Sequence, residues 1–170
     1  MHQLKEILTS DKKQYTSEEL FNNGYMCSES IVAAFSSLYG AQAETAIRMS
    51  AGFAGGMVHG KTCGAICGAI MVISLKLGPG ITRDQYSKEL CIQAIQELFH
   101  RFKQRRKTVE CRELLLINNV NFDNADEIKN SKEKGVCVSI VRDVAELLEE
   151  ILTESNPKIG LNKGITHFHS

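Results

Sequence analysis

Between Lys61 and Lys76 the chain runs for fourteen residues, Thr62 to Leu75, without a charge. A run this apolar must be taken out of water, yet a bilayer core needs roughly 20 residues in a helix. It therefore reads as a buried helix, not a membrane span, and other helices must cover it. Gly78 and Pro79 terminate it, and Thr62 is the expected N-cap.

The other segments carry helix signals too, and no alternating strand of useful length interrupts them. Thr16 and Glu19 form a capping box that opens a short helix closed by Gly24. In CSESIVAAFSSLYG, residues Cys27, Ile31, Ala34, Phe35 and Leu38 share one face before Gly40. A further helix covers about 41 to 54 and enters the glycine-rich turn GFAGGMVHGK. Thr82 and Asp84 start the longest helix, with Tyr86, Leu90, Ala94, Leu98 and Phe102 expected as its stripe. Thr108 restarts a short helix, the polar segment NNVNFDNADEIKNSKEKG holds a small one stopped at Gly135, and the last begins near Cys137. The expected architecture is all-α: a single-domain helical bundle of about five or six helices over residues 1–153, followed by a loose tail over 154–170.

Charge narrows the partners. Twenty basic residues balance twenty acidic ones in 170, so no overall field points to nucleic acid or to an anionic membrane. The run Arg101, Lys103, Arg105, Arg106 and Lys107 complements a helix C-terminus. Residues 1–20 lack the basic-then-apolar order of a secretory signal, so a cytoplasmic protein with no membrane span is expected. Six cysteines there are thiols by default.

Their placement divides them. Cys27, Cys63, Cys111 and Cys137 fall in the first turns of expected helices and on the apolar stripes, whereas Cys67 and Cys91 lie deeper. First-turn amides lack intrahelical acceptors, and with the helix dipole they stabilise a thiolate. Cys91 reads as a small buried hydrophobe. Cys63 and Cys67 stand four apart, with Cβ atoms ~5–6 Å from each other, too far for the ~3.5–4.5 Å of a disulfide. Gly64 and Gly68 make a smooth strip for close helix packing, with room for a sulfur or ligand. Cys63, beside the glycine-rich turn, is the expected attacking sulfur, with Cys27, Cys111 or Cys137 resolving. His59, Lys61 and Arg112 are nearby candidates for proton transfer or charge, each with an ordinary surface role as the alternative. His167 and His169 fall in the tail.

The stretch SAGFAGGMVHGKTCGAICGAIMVISLKLG, with GYMCSESIVAAF, ECRELL and GVCVSIVRDVAELLEEIL, resembles the C_GCAxxG_C_C family, described as putative redox-active proteins. The resemblance runs through nearly the whole chain. It implies that Cys27, Cys63, Cys111 and Cys137 are the functional cysteines and that Gly64, Ala65 and Gly68 complete the motif at a cofactor- or ligand-binding helix start. Cys67 takes a variable position and Cys91 falls outside the pattern.

Three functions stay open. Thiol redox chemistry, by disulfide exchange or electron transfer through the cysteine cluster, leads; an enzyme of this kind would be a thiol–disulfide oxidoreductase acting on a redox partner or small molecule. The alternative is zinc or an iron–sulfur cluster on the same four cysteines, although spacings of 36, 48 and 26 residues contain no short chelating pair. The third is a non-catalytic ligand-binding module, and homo-oligomerisation is compatible with any of them.

Overall fold

The computed structural model describes residues 15–155. Eight α-helices follow one another there: α1 (Ser17–Asn22), α2 (Cys27–Phe35), α3 (Ala43–Ser50), α4 (Gly64–Leu77), α5 (Gln85–Arg106), α6 (Cys111–Ile117), α7 (Ala125–Glu133) and α8 (Val136–Glu154). The fold is all-α, as expected, but five or six helices is too few. The short α1, α6 and α7 are packed elements in their own right. Residues beyond 155, including His167, His169 and nearly all of the expected loose tail, lie outside the described residues.

The uncharged run from Gly64 onward forms all but the last two residues of α4, which packs against α2, α5 and α8. Ala65, Ile66, Ala69 and Ile73 have no exposed surface. Its N-cap is Cys63, one residue later than expected. Two glycines let α2 lie close: a Cβ on Gly68 would stand 2.7 Å from the Ser28 carbonyl and 3.1 Å from Ile31 Cβ.

Caps place the other helices. Thr16 and Glu19 exchange hydrogen bonds at the start of α1, and Asp84 accepts from the Ser87 N–H at the start of α5. Along α5 the buried residues are Cys91, Ala94, Leu98 and Phe102, while Tyr86 is 61% exposed. At 3.6 residues per turn, four steps of four residues wind about 160° around a helix. The expected row from Tyr86 to Phe102 could not stay on one side.

The basic end of α5 is paired. Arg101 contacts Glu97, Glu150 and Glu154, Arg105 contacts Glu146 and Glu150, and Arg106 contacts Asp143. Most of those carboxylates belong to α8, so the run joins the two longest helices.

Candidate thiol pocket

Each of the four first-turn cysteines stands at a helix start. Cys27 and Cys111 are the first residues of α2 and α6, Cys63 caps α4, and Cys137 is second in α8. The starts of α4 and α6 are tied by one antiparallel bridge between Thr62 and Glu110. In it the Cys63 N–H donates to the Val109 carbonyl at 2.8 Å and the Cys111 N–H to the Lys61 carbonyl at 2.7 Å. This bridge satisfies two amides that helix starts leave orphaned, and it brings two cysteines 48 residues apart in sequence to one place.

All four cysteines line one cavity of about 530 Å³, within the ~300–1,000 Å³ range of ligand pockets. Its wall is apolar: Phe21 and Met26 beside α2, Leu114 and Leu115 from α6, and Ile140 from α8. Gly55 and Val58 line it from the glycine-rich turn. Phe122, Ala125 and Ile128 complete it from the polar segment, which sequence reasoning did not connect with the site. The available signal was Phe122, an isolated aromatic, with Ala125 and Ile128 one helical turn apart.

The glycine-rich turn has an unusual backbone. Gly55, Gly56, Met57 and Val58 are consecutive residues with φ of 61°, 61°, 57° and 60°. That makes a left-handed turn, which L-residues other than glycine resist. It closes when the Lys61 N–H donates to the Gly56 carbonyl.

The motif glycine Gly64 also has a specific reason. A Cβ there would lie 2.6 Å from Cys27 Sγ and 2.8 Å from the Phe53 carbonyl oxygen. The Cys27 sulfur is thus seated on the bare first turn of α4.

Electrostatics work against one expectation, that Cys63 is the attacking sulfur. The Cys63 sulfur does sit where the Ala65 and Ile66 amides could stabilise its charge, but burial dominates and pushes its thiol well above the usual range. Charge on Cys27 or Cys111 would raise it further. With 5% of its surface exposed, Cys63 is the most enclosed of the four. Helix starts favour the charge; the apolar wall opposes it and wins. Cys111 is pushed up to about 12, by burial first and then by its cysteine neighbours and Glu110, with Arg112 acting weakly the other way.

The remaining candidates separate cleanly. His59 is exposed, with Nδ1 3.1 Å from the Met57 carbonyl oxygen, and it is not on the cavity wall. Lys61 contributes its backbone to the bridge while its side chain is exposed. Arg112 pairs with Asp123 and lies over the Phe122 ring. Cys91 is buried against Ser74. Cys67 is half-buried on α4, and its Sγ donates to the Thr62 carbonyl at 3.6 Å. No disulfide joins any two of the six cysteines, all of which lie among the described residues.

Among the described residues no group of three or more His, Cys, Asp and Glu side chains is gathered to hold a metal ion. No helix there is long and apolar enough to cross a membrane. No curated protein and no solved structure matches the chain. The model of one family, described as "Putative redox-active protein (C_GCAxxG_C_C)", matches residues 25–151. Its match takes in all four cysteines at the cavity, and the chain belongs to the C_GCAxxG_C_C family.

Proposed function

We propose that the pocket carries out two-electron thiol redox chemistry, with Cys27 as the attacking sulfur and Cys63 as its first resolving partner. One observation carries this reading: four cysteines spread over 110 residues arrive at four helix starts around one cavity. Cys27 is half-buried and cavity-facing, so a reagent reaches it before Cys63.

With a disulfide substrate, the Cys27 thiolate attacks one sulfur, the substrate S–S bond breaks and one substrate thiolate leaves with a proton. Cys63 then attacks the Cys27 sulfur, releasing the second thiol. Two protein thiols become one disulfide and the substrate disulfide becomes two thiols. No charged side chain lines the cavity, which favours an uncharged reacting group. Reduced thiols suit a cytoplasmic setting.

The test is to purify the protein without oxygen, treat it with the two-electron thiol oxidant diamide, and count thiols while mapping disulfides by peptide mass spectrometry. Two thiols lost per chain, with Cys27 linked to Cys63, is the expected result; an unchanged thiol count ends the reading. Metal content of the same preparation addresses the alternative. Four thiolates are a donor set suited to zinc or an iron–sulfur cluster, and stoichiometric metal with four protected thiols would put that reading first. Such a centre would require the sulfurs to draw closer together.

A further inference from the structure

The motif's variable position holds a fifth thiol in this chain, and its surroundings give it a use. We propose that Cys67 is a second exchange partner for Cys27, passing the disulfide formed at the cavity to the half-exposed flank of α4. This inference rests on the redox reading above.

The geometry centres on Gly64. Cys27 Sγ lies 2.6 Å from the place a Gly64 Cβ would occupy. Cys63 caps the helix one residue before that point and Cys67 stands three residues after it, its N–H donating to the Cys63 carbonyl at 3.0 Å. The Cys67 side chain leans toward the helix start, as helical side chains do, and its sulfur reaches the Thr62 carbonyl. Cys63 and Cys67 are too far apart across an intact turn to link with each other. Cys27, carried on α2, is the sulfur that serves both. The same proximity shows in electrostatics: burial raises the thiols of Cys63 and Cys67 first, and charge on Cys27 adds to the rise in both.

The two partners face different surroundings. Cys63 lines the cavity and is buried, whereas Cys67 is half-buried and off the cavity wall. In the exchange, the Cys67 thiolate attacks Cys27 of the Cys27–Cys63 disulfide. The Cys27–Cys63 bond breaks as the Cys27–Cys67 bond forms, and Cys63 leaves as a thiolate that takes up the proton Cys67 gave up. No electrons enter or leave, so the step needs no further oxidant. An oxidising equivalent collected in the apolar cavity thereby becomes available to a reductant outside it.

The test uses the full chain and the variants Cys67→Ser, Cys63→Ser and Cys63→Ala, each checked for helical content by circular dichroism. After diamide oxidation and acid quenching, Cys63→Ser or Cys63→Ala is expected to hold a Cys27–Cys67 disulfide, and Cys67→Ser a Cys27–Cys63 disulfide. A water-soluble phosphine should then reduce oxidised wild type roughly tenfold faster than oxidised Cys67→Ser, because the half-exposed route is gone. Absence of the Cys27–Cys67 disulfide from both Cys63 variants, or equal reduction rates, overturns the relay while a Cys27–Cys63 disulfide in Cys67→Ser keeps the redox reading. Absence of every disulfide from all forms overturns both.

Discussion

A methyl group on Gly64 would collide with the Cys27 sulfur and the Phe53 carbonyl. Gly64→Ala is therefore expected to cost about 1–3 kcal/mol, as overpacking does, and to speed alkylation of Cys27 by pushing it off α4. Gly52→Ala is the control, since nothing lies within 4 Å of its Cβ position; chemical denaturation and peptide-resolved labelling read both effects. Cys111 gives a pH prediction. Its thiol titrates near 12 in the folded protein against an ordinary 9.0, so between those values the unfolded chain has lost a proton that the folded one keeps. The associated stability is complete below about pH 9 and is lost as pH rises toward 12. In excess reductant, the denaturation midpoint should fall above pH 9, and fall less steeply in Cys111→Ser. At this scale the sequence revealed which cysteines begin helices, because capping and glycine signals are local. It did not reveal that Cys63 is enclosed, because Phe21, Leu114 and Ile140, which help form the wall, come from three distant helices.

Among the elements, the left-handed turn before α4 stores strain where the cavity needs a rim. Met57 and Val58 occupy a backbone region costing L-residues about 1–2 kcal/mol each. Val58 is 73% exposed, so Val58→Gly should raise stability by about 1 kcal/mol, measured as a higher urea midpoint at unchanged slope. The α5–α8 contact makes the opposite case. Arg106–Asp143 is the most enclosed pair there, with 24% and 22% of the side chains exposed. Arg106→Ala is expected to cost about 1 kcal/mol at low salt and less at 1 M, whereas the more exposed Arg105 should matter less. The basic run was legible as a helix end, but its partner was not. Asp143, Glu146, Glu150 and Glu154 are spaced at 3, 4 and 4 residues along α8, and that acidic face is the signal that matches it.

For the molecule as a whole, a Cys27–Cys63 disulfide would close a loop of 36 residues and fasten α2 to α4. Restricting the unfolded chain in this way stabilises by about 3–4 kcal/mol in the loop-entropy account, so the oxidised protein should melt several degrees above the reduced one. The all-α class and most helix starts could be read from caps and stops along the chain. The bridge between Thr62 and Glu110 could not: one residue on each side leaves no periodic pattern, yet it aligns the starts of α4 and α6. It also sets an order of events during synthesis. Cys63 leaves the ribosome well before Val109, whose carbonyl holds its amide, and the wall stays open until α8 delivers Cys137 and Ile140. Until α8 docks, the emerging chain lacks the apolar enclosure that pushes the Cys63 thiol up. The growing polypeptide is then most open at Cys63, and the docking of α8 ends the exposure of that one thiol.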